Sequence, residues 1–219
     1  VIMERQKAGL DPFSPESHLG FCSGLLTGSK AFFSGRFMVV GKSPLTGGWG
    51  DANAGGFLSR ELKRTGYDAV FFTGKAATPT WVDITERDIV FHDATRIWGK
   101  DIIETERRIK DLIEDKWTQI ASIGKGGENL SRISGIATDN GRIAARSGLG
   151  AVMGSKKLKA VVFKGTREIP VARPEAVKAI NERFIADYKK SKLSDRLTLK
   201  NMHFVSKLIA RTGISIPTQ

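Results

Sequence analysis

Two stretches of the chain combine small residues with arginine in a way that suits an anionic ligand. The first is Ser34-Gly35-Arg36, followed by 42–56, Lys-Ser-Pro-Leu-Thr-Gly-Gly-Trp-Gly-Asp-Ala-Asn-Ala-Gly-Gly, which contains Asn53 and Gly55. The second is 139–154, Asp-Asn-Gly-Arg-Ile-Ala-Ala-Arg-Ser-Gly-Leu-Gly-Ala-Val-Met-Gly, which contains Arg142, Ile143, Ala145 and Arg146. Glycine lets backbone N–H groups approach a ligand and line an anion-binding concavity. Arginine adds a planar, permanently charged fork that matches phosphate. A helix starting just after such a loop adds its N-terminal dipole. The chemistry expected is binding of a phosphate-bearing cofactor. The plainer alternative is that the glycines only make turns and the arginines only solvate.

Nucleotide templates fit poorly. Gly150-Ala-Val-Met-Gly154-Ser-Lys156 has the wrong spacing for a P-loop and inverts its Lys and Ser. Gly148-Leu-Gly150-Ala-Val-Met-Gly154 is one residue too long for the dinucleotide fingerprint. Catalytic side chains are scarce. His18, His92 and His203 lie in unrelated segments, and no H-x-x-x-H, C-x-x-C or G-x-S-x-G pattern occurs. Glu128, in Gly-Lys-Gly-Gly-Glu-Asn, reads as a turn residue before a catalytic acid. Cys22 reads as a buried strand cysteine, and one thiol cannot hold an iron–sulfur cluster, which usually takes four. No residue of the segment is expected to transfer a proton, so the catalytic set is empty.

These loops need strands to carry them. Apolar, β-branched and aromatic runs bounded by Gly, Asp and Pro predict strands at 19–26, 36–42, 68–73, 80–85, 88–92, 117–123, 130–137 and 159–164. Residues 101–115 read as an amphipathic helix with Ile102, Ile103, Ile109, Leu112 and Ile113 on one face. A helix is expected from Pro174, with Val177, Ile180, Phe184 and Tyr188 at helical spacing. A second is expected over 196–211, with Met202, Val205, Leu208 and Ile209 inward and Gly213 as its stop. A weak repeat links 55–75 with 148–166: glycine-rich loop, short helix, buried strand ending in Gly. It places two similar loops where they could face one ligand.

The composition is that of a globular chain: 219 residues, 40% apolar and 26% charged. No run approaches the roughly 18 apolar residues that span a bilayer. The first residues lack the apolar stretch of a secretory signal. A cytoplasmic protein without membrane contact is expected. Of the formal charge of +12, residues 165–219 supply +6, from 11 Lys/Arg against 5 Asp/Glu. A basic nucleic-acid module would carry such charge, but no platform of interleaved aromatics accompanies it, and nucleic acid is not expected as a partner.

Several separated motifs then carry a family resemblance. They are Lys42-Ser-Pro-Leu-Thr-Gly, Asn53-Ala-Gly-Gly, Glu61-Leu-Lys-x-x-Gly-Tyr-Asp, Ile97-Trp-Gly-Lys, Ala121-Ser-Ile-Gly-x-x-Gly-Glu-Asn, and Arg146-x-Gly-x-Gly-Ala-Val-Met-Gly-Ser-Lys-x-Leu-Lys-Ala. In this order, over about residues 11 to 170, the chain resembles the N-terminal domain of the aldehyde ferredoxin oxidoreductases, the tungstopterin enzymes. The resemblance implies an α+β fold over 1–172, with two related β-rich halves and flanking helices forming a cofactor-binding base. Residues 173–219 would begin a helical domain of a longer chain.

The resemblance also implies a ligand: tungsten (or molybdenum) held by two pterins whose phosphates meet at Mg²⁺. Arg36 would lie between a pterin and a 4Fe–4S cluster. Asn53 and Ile143 would offer backbone carbonyls to Mg²⁺, a hard cation suited to oxygen. Gly55, Arg142, Ala145 and Arg146 would contact pterins and phosphates. The parent enzyme would oxidise an aldehyde to a carboxylic acid and pass electrons to ferredoxin; a benzoyl-CoA-type reductase of the same family is the alternative. The cluster's four cysteines are absent from this segment, which alone would be inactive. Association of identical chains stays open. Two departures stand out: Ile143 replaces a small residue, and Ala145 and Ser147 replace glycines. If a glycine at 145 adopts φ > 0, Ala145 would be strained.

Overall fold

The computed structural model describes residues 2–115, 118–139 and 141–190. The helix expected over 196–211 lies outside the described residues. The chain divides into two compact units, Val1–Val171 and Ala172–Gln219.

The first unit runs α1 (Ile2–Arg5), β1 (Leu19–Ser23), β2 (Phe37–Lys42), β3 (Trp49–Ala54), α2 (Leu58–Arg64), β4 (Ala69–Phe72), β5 (Thr80–Thr85) and β6 (Ile89–Asp93). It continues with α3 (Ile102–Ile113), β7 (Gln119–Ser122), α4 (Lys125–Glu128), β8 (Ile136–Thr138), β9 (Arg142–Ala144), α5 (Leu149–Ser155) and β10 (Leu158–Lys164). One sheet has the order β3-β2-β1-β4; the other has β6-β5-β10-β7-β8-β9. The first is antiparallel throughout. So is the run β9-β8-β7-β10 in the second. The two four-strand runs therefore have one topology, with β1, β2, β3, α2 and β4 matching β7, β8, β9, α5 and β10. The repeat expected from the two glycine-rich segments is real, and it extends to the three strands before each. The mixed α+β class with two related halves holds. The β5–β6 hairpin adds to the second half, with β5 parallel to β10.

Strand β10 explains the layering. Its Leu158–Phe163 are all buried, the signature of a strand covered on both faces. Val161 and Phe163 enter a large core with Leu19, Phe21, Leu58 and Leu62. Ala160 and Val162 enter a second core with Trp81, Ile109 and Ile120. The period of two along the strand thus sends alternate side chains to opposite faces.

Some expected boundaries are corrected. Residues 42–56 contain a strand, β3, although Trp-Gly-Asp-Ala-Asn-Ala has little strand propensity. Pairing with β2 and burial of Gly50, Ala52 and Ala54 outweigh it. Residues 130–135 are turns, with Leu130 at φ 57°, and only Ile136–Thr138 pair. The strand at 19 ends at Ser23, where Thr27 N–H donates to Gly24 O and closes a turn. In α3, Asp101 caps the first turn by accepting from Glu104 N–H at 2.8 Å. Its buried stripe is Thr105, Glu106 and Ile109, with Ile102 and Ile113 half-buried; Ile103 and Leu112 are exposed. The spacing 102, 105, 106, 109, 113 holds one face at 100° per residue, and 103 and 112 fall outside it.

The second unit is described through α6 (Pro174–Lys190), whose Phe184 and Tyr188 rings stack one turn apart. None of its described side chains is buried. No helix among the described residues is long and apolar enough to cross a membrane.

Candidate cofactor cradle

Strands β3 and β9 are matching edges of the two halves, and they come into contact. Ser147 Oγ donates to Asp51 O at 3.1 Å. Gly50 leaves room for Ser147: a Cβ there would lie 3.0 Å from Ser147 Cβ. The two arginine-bearing stretches are thereby brought side by side.

Their charges converge. Arg36, just before β2, donates from Nε to Asn53 Oδ1 at 2.8 Å, and its Nη2 donates to the same oxygen. A Cβ built on Gly55 would lie 3.8 Å from Arg36 Nη1 and 3.7 Å from Arg142 Nη1. Two guanidinium groups, one from each half, thus approach one stretch of bare backbone. Arg142 and Arg146 are exposed, and among the described residues neither forms a hydrogen bond or ion pair. Exposed charge beside a glycine turn suits an anion. A cleft of about 790 Å³ opens beside Arg142, lined also by Phe57, Arg60, Arg64, Lys110 and Asp139.

Asn53 and Ile143 hold corresponding places. They pair with Met38 and Ala137 in their ladders. Each stands one residue before a buried alanine, Ala54 or Ala144, that ends its strand. Edge strands have one side of their backbone outside the ladder. The bulk of Ile143 is accommodated by Gly135, where a Cβ would lie 2.6 Å from Ile143 Cγ2. The left-handed residue is Ser147, at φ 63°; Ala145 is not among the positive-φ residues. The strain anticipated at Ala145 is therefore at Ser147.

The glycines of the second stretch do something other than expected. A Cβ on Gly148 would overlap Arg132 O, one on Gly150 would overlap Gly135 O, and one on Gly154 would overlap Gly127 O. All of α5 is buried. The Gly150 N–H donates to Ser134 O at 3.0 Å. These glycines let α5 lie against the backbone of α4 and its flanks, so they serve packing. At α2 the N–H of the N-cap residue, Phe57, donates to Asp139 Oδ2 at 2.9 Å. Burial holds the Asp139 carboxyl above its usual range, opposed by the Phe57 hydrogen bond and by Arg142, with Glu106 adding to the rise. Asp139 went unnoticed in the sequence because an Asp before Asn-Gly reads simply as a turn.

Glu128 is structural. Both carboxylate oxygens accept from Gly99 N–H, at 2.9 and 3.0 Å. Oε1 also pairs with Lys159, whose side chain is wholly buried and whose Nζ donates to Lys100 O at 2.8 Å and Ile123 O at 2.7 Å. Burial lowers the Lys159 pKa, and the Glu128 hydrogen bond and charge oppose that. Lys156, where the P-loop template fails, donates to Ser17 O at 2.5 Å and to Pro15 O and Gly74 O at 3.2 Å. Burial lowers its pKa to about 8, with Glu16 pulling the other way. His92 stacks on Trp81 at 4.0 Å. His18 has its pKa lowered by burial. His203 lies outside the described residues. Cys22 is half-buried, and burial raises its thiol pKa. Among the described residues, no group of three or more His, Cys, Asp or Glu could hold a metal ion.

A sequence model described as aldehyde ferredoxin oxidoreductase, N-terminal domain, matches residues 1–165. A tungsten-containing aldehyde ferredoxin oxidoreductase of Pyrococcus horikoshii is 46% identical over 171 residues, 78% of this chain and 28% of that protein. The WOR-like subunit of an aliphatic sulfonate oxidoreductase of Pyrococcus furiosus is 36% identical over 174 residues, 74% of this chain and 27% of that one. Among solved structures, the active site complex BamBC of benzoyl coenzyme A reductase, in complex with 1,5-dienoyl-CoA, superposes with a TM-score of 0.83 at 38% identity. That match covers 88% of this chain and 29% of the other. The chain thus spans under a third of the length of these relatives. The match over residues 1–165 and the identity to these relatives show that the chain belongs to the aldehyde ferredoxin oxidoreductase family, through its N-terminal domain.

Proposed function

We propose that this domain cradles a bis-pterin tungsten cofactor in an enzyme that oxidises aldehydes to carboxylic acids with ferredoxin as acceptor. The observation that carries the reading is the convergence of Arg36 and Arg142 on Gly55, with Arg142 and Arg146 exposed and forming no hydrogen bond or ion pair among the described residues. Guanidinium groups so placed would offset the charge of pterin phosphates. The equivalent positions of Asn53 and Ile143 on two edge strands support a Mg²⁺ held between their carbonyls, with remaining ligands from phosphate and water. Gly55 leaves space for the ligand, and Ala145 and Arg146 extend the same surface. The donor set fits: backbone oxygen and guanidinium, with no side-chain metal cage. Bound tungsten would supply the two-electron change; the protein's part is to bind, orient and electrically tune it. A four-iron cluster would need thiolates besides Cys22.

A second reading is reduction of an aromatic thioester, favoured by the likeness to the benzoyl coenzyme A reductase complex. The test is elemental analysis of the full-length protein purified without oxygen, pterin fluorescence after oxidation, and dye-linked assays with aldehydes and with benzoyl-CoA. About one tungsten and two pterins per chain, with aldehyde turnover, supports the first reading. The same content with thioester turnover alone supports the second. Absence of both metal and pterin, from cells supplied with tungsten and molybdenum, overturns both.

A further inference from the structure

Asp139 joins the two halves beside the cradle. It stands in the turn between β8 and β9, three residues before Arg142, in left-handed backbone at φ 49°. Its Oδ2 accepts the N–H of Phe57, the residue that opens α2 in the other half. Phe57 itself gives α2 no side-chain cap. A carboxylate from across the repeat therefore takes the N-cap N–H of this helix, as the Glu or Gln of a capping box does from within a helix. The carboxylate lies against Gly56, which has φ 116°, and a Cβ at Gly56 would overlap Oδ2. Its Oδ1 is buried without a hydrogen-bond partner. Aspartate tolerates left-handed backbone better than most residues, so this turn can hold the carboxylate across the repeat, with the Thr138 side chain beside it. What this geometry fixes is the distance from the Gly55–Gly56 turn to Arg142.

We propose that Asp139 is a positioning residue of the cradle, holding the Gly55–Phe57 turn of the first half against Arg142 of the second so that Arg36 and Arg142 keep the spacing of one phosphate-bearing ligand. It acts through these residues and touches no ligand itself. The proposal rests on the cradle reading above. An amide at this position keeps an acceptor oxygen for the Phe57 N–H.

The experiment uses the full-length protein purified without oxygen, as wild type, D139A and D139N. Amide hydrogen exchange and tungsten and pterin content are read for each. D139A is expected to speed exchange over 55–58 about tenfold or more, to lower cofactor content several-fold, and to leave exchange in β1, β2, β7 and β10 unchanged, since local opening is separable from global unfolding. D139N keeps an oxygen for the Phe57 N–H and is expected to restore both readouts to near wild type. Unchanged exchange over 55–58 in D139A overturns the proposal. So does D139N failing as badly as D139A, which would make charge the requirement. Loss of protection in the strands, or failure of D139A to fold, would make Asp139 a support of the whole fold and equally overturns it. A wild type without metal or pterin would sink the cradle reading instead, and exchange over 55–58 would still report the tether.

Discussion

Arg36 and Arg142, one from each half of a duplicated fold, aim their guanidinium groups at the same backbone: a Cβ on Gly55 would lie 3.8 Å from Arg36 Nη1 and 3.7 Å from Arg142 Nη1. Arg36 is steadied by Asn53, whereas Arg142 has no hydrogen bond or ion pair among the described residues. Two guanidinium groups this close repel one another, Asp139 beside Arg142 offsets part of that repulsion, and a bound anion would offset more.

The two arginines are therefore expected to matter for loading and little for folding. R36A and R142A in the full-length protein should each lower retained tungsten and pterin, by roughly 10- to 100-fold in affinity if each loses one charge-assisted contact of about 1.5–3 kcal/mol. Thermal unfolding of the cofactor-free protein should shift little. Metal and pterin content at wild-type level in both variants would contradict this.

The Glu128–Lys159 pair is expected to behave in the opposite way. Lys159 is wholly buried, and Glu128 with two backbone carbonyls satisfies it. E128A would leave that charge uncompensated and release Gly99 N–H, a loss of about 3–5 kcal/mol in denaturant unfolding. The double variant E128A/K159M should be less damaging than E128A alone. A loss below about 1 kcal/mol for E128A would mean that the pair is solvated in solution.

The repeat was legible because loop, short helix and buried strand recur at 55–75 and 148–166 with similar composition. The two candidate stretches were legible as arginines among glycines, and the fold brings them together. The motifs Ile97-Trp-Gly-Lys and Gly-Glu-Asn were visible but their meaning was not. Gly99 and Glu128 meet only through tertiary packing, around a lysine on a strand whose neighbours gave no hint that it was buried. Strand β3 was hidden for a related reason: Ala52 and Ala54 are core residues there because of what packs on them, and small side chains carry little periodic signal.

Lys156 should make stability depend on pH. Its folded pKa is about 8, against 10.5 for an ordinary lysine. Between these values the unfolded chain binds more protons than the folded one, so stability rises with pH across that window. Below about pH 8 both forms are protonated and the contribution is flat. The full span is on the order of 3 kcal/mol. Denaturant unfolding at pH 7.5, 9 and 10.5 checks this against K156M, which lowers stability overall but should remove this part of the rise. An identical slope in K156M would assign the effect to other groups.

The glycines of the two stretches should part company under substitution. Gly150 presses on the carbonyl of Gly135, with which a Cβ would collide, and its own N–H is bonded to Ser134 O. The neighbour is backbone and cannot rotate away, so G150A must push α5 from its seat and should cost about 2 kcal/mol or more. Gly48 lies in the loop before β3, where a Cβ would meet only Thr46 Oγ1 at 3.7 Å. Its φ is not positive. G48A should therefore leave stability within about 0.5 kcal/mol of wild type, or raise it slightly by restricting the unfolded chain. Thermal and denaturant unfolding of the two variants makes the comparison. Equal losses would mean that both stretches are packed alike; a silent G150A would show that α5 is loosely seated and that its glycines are free for a ligand after all.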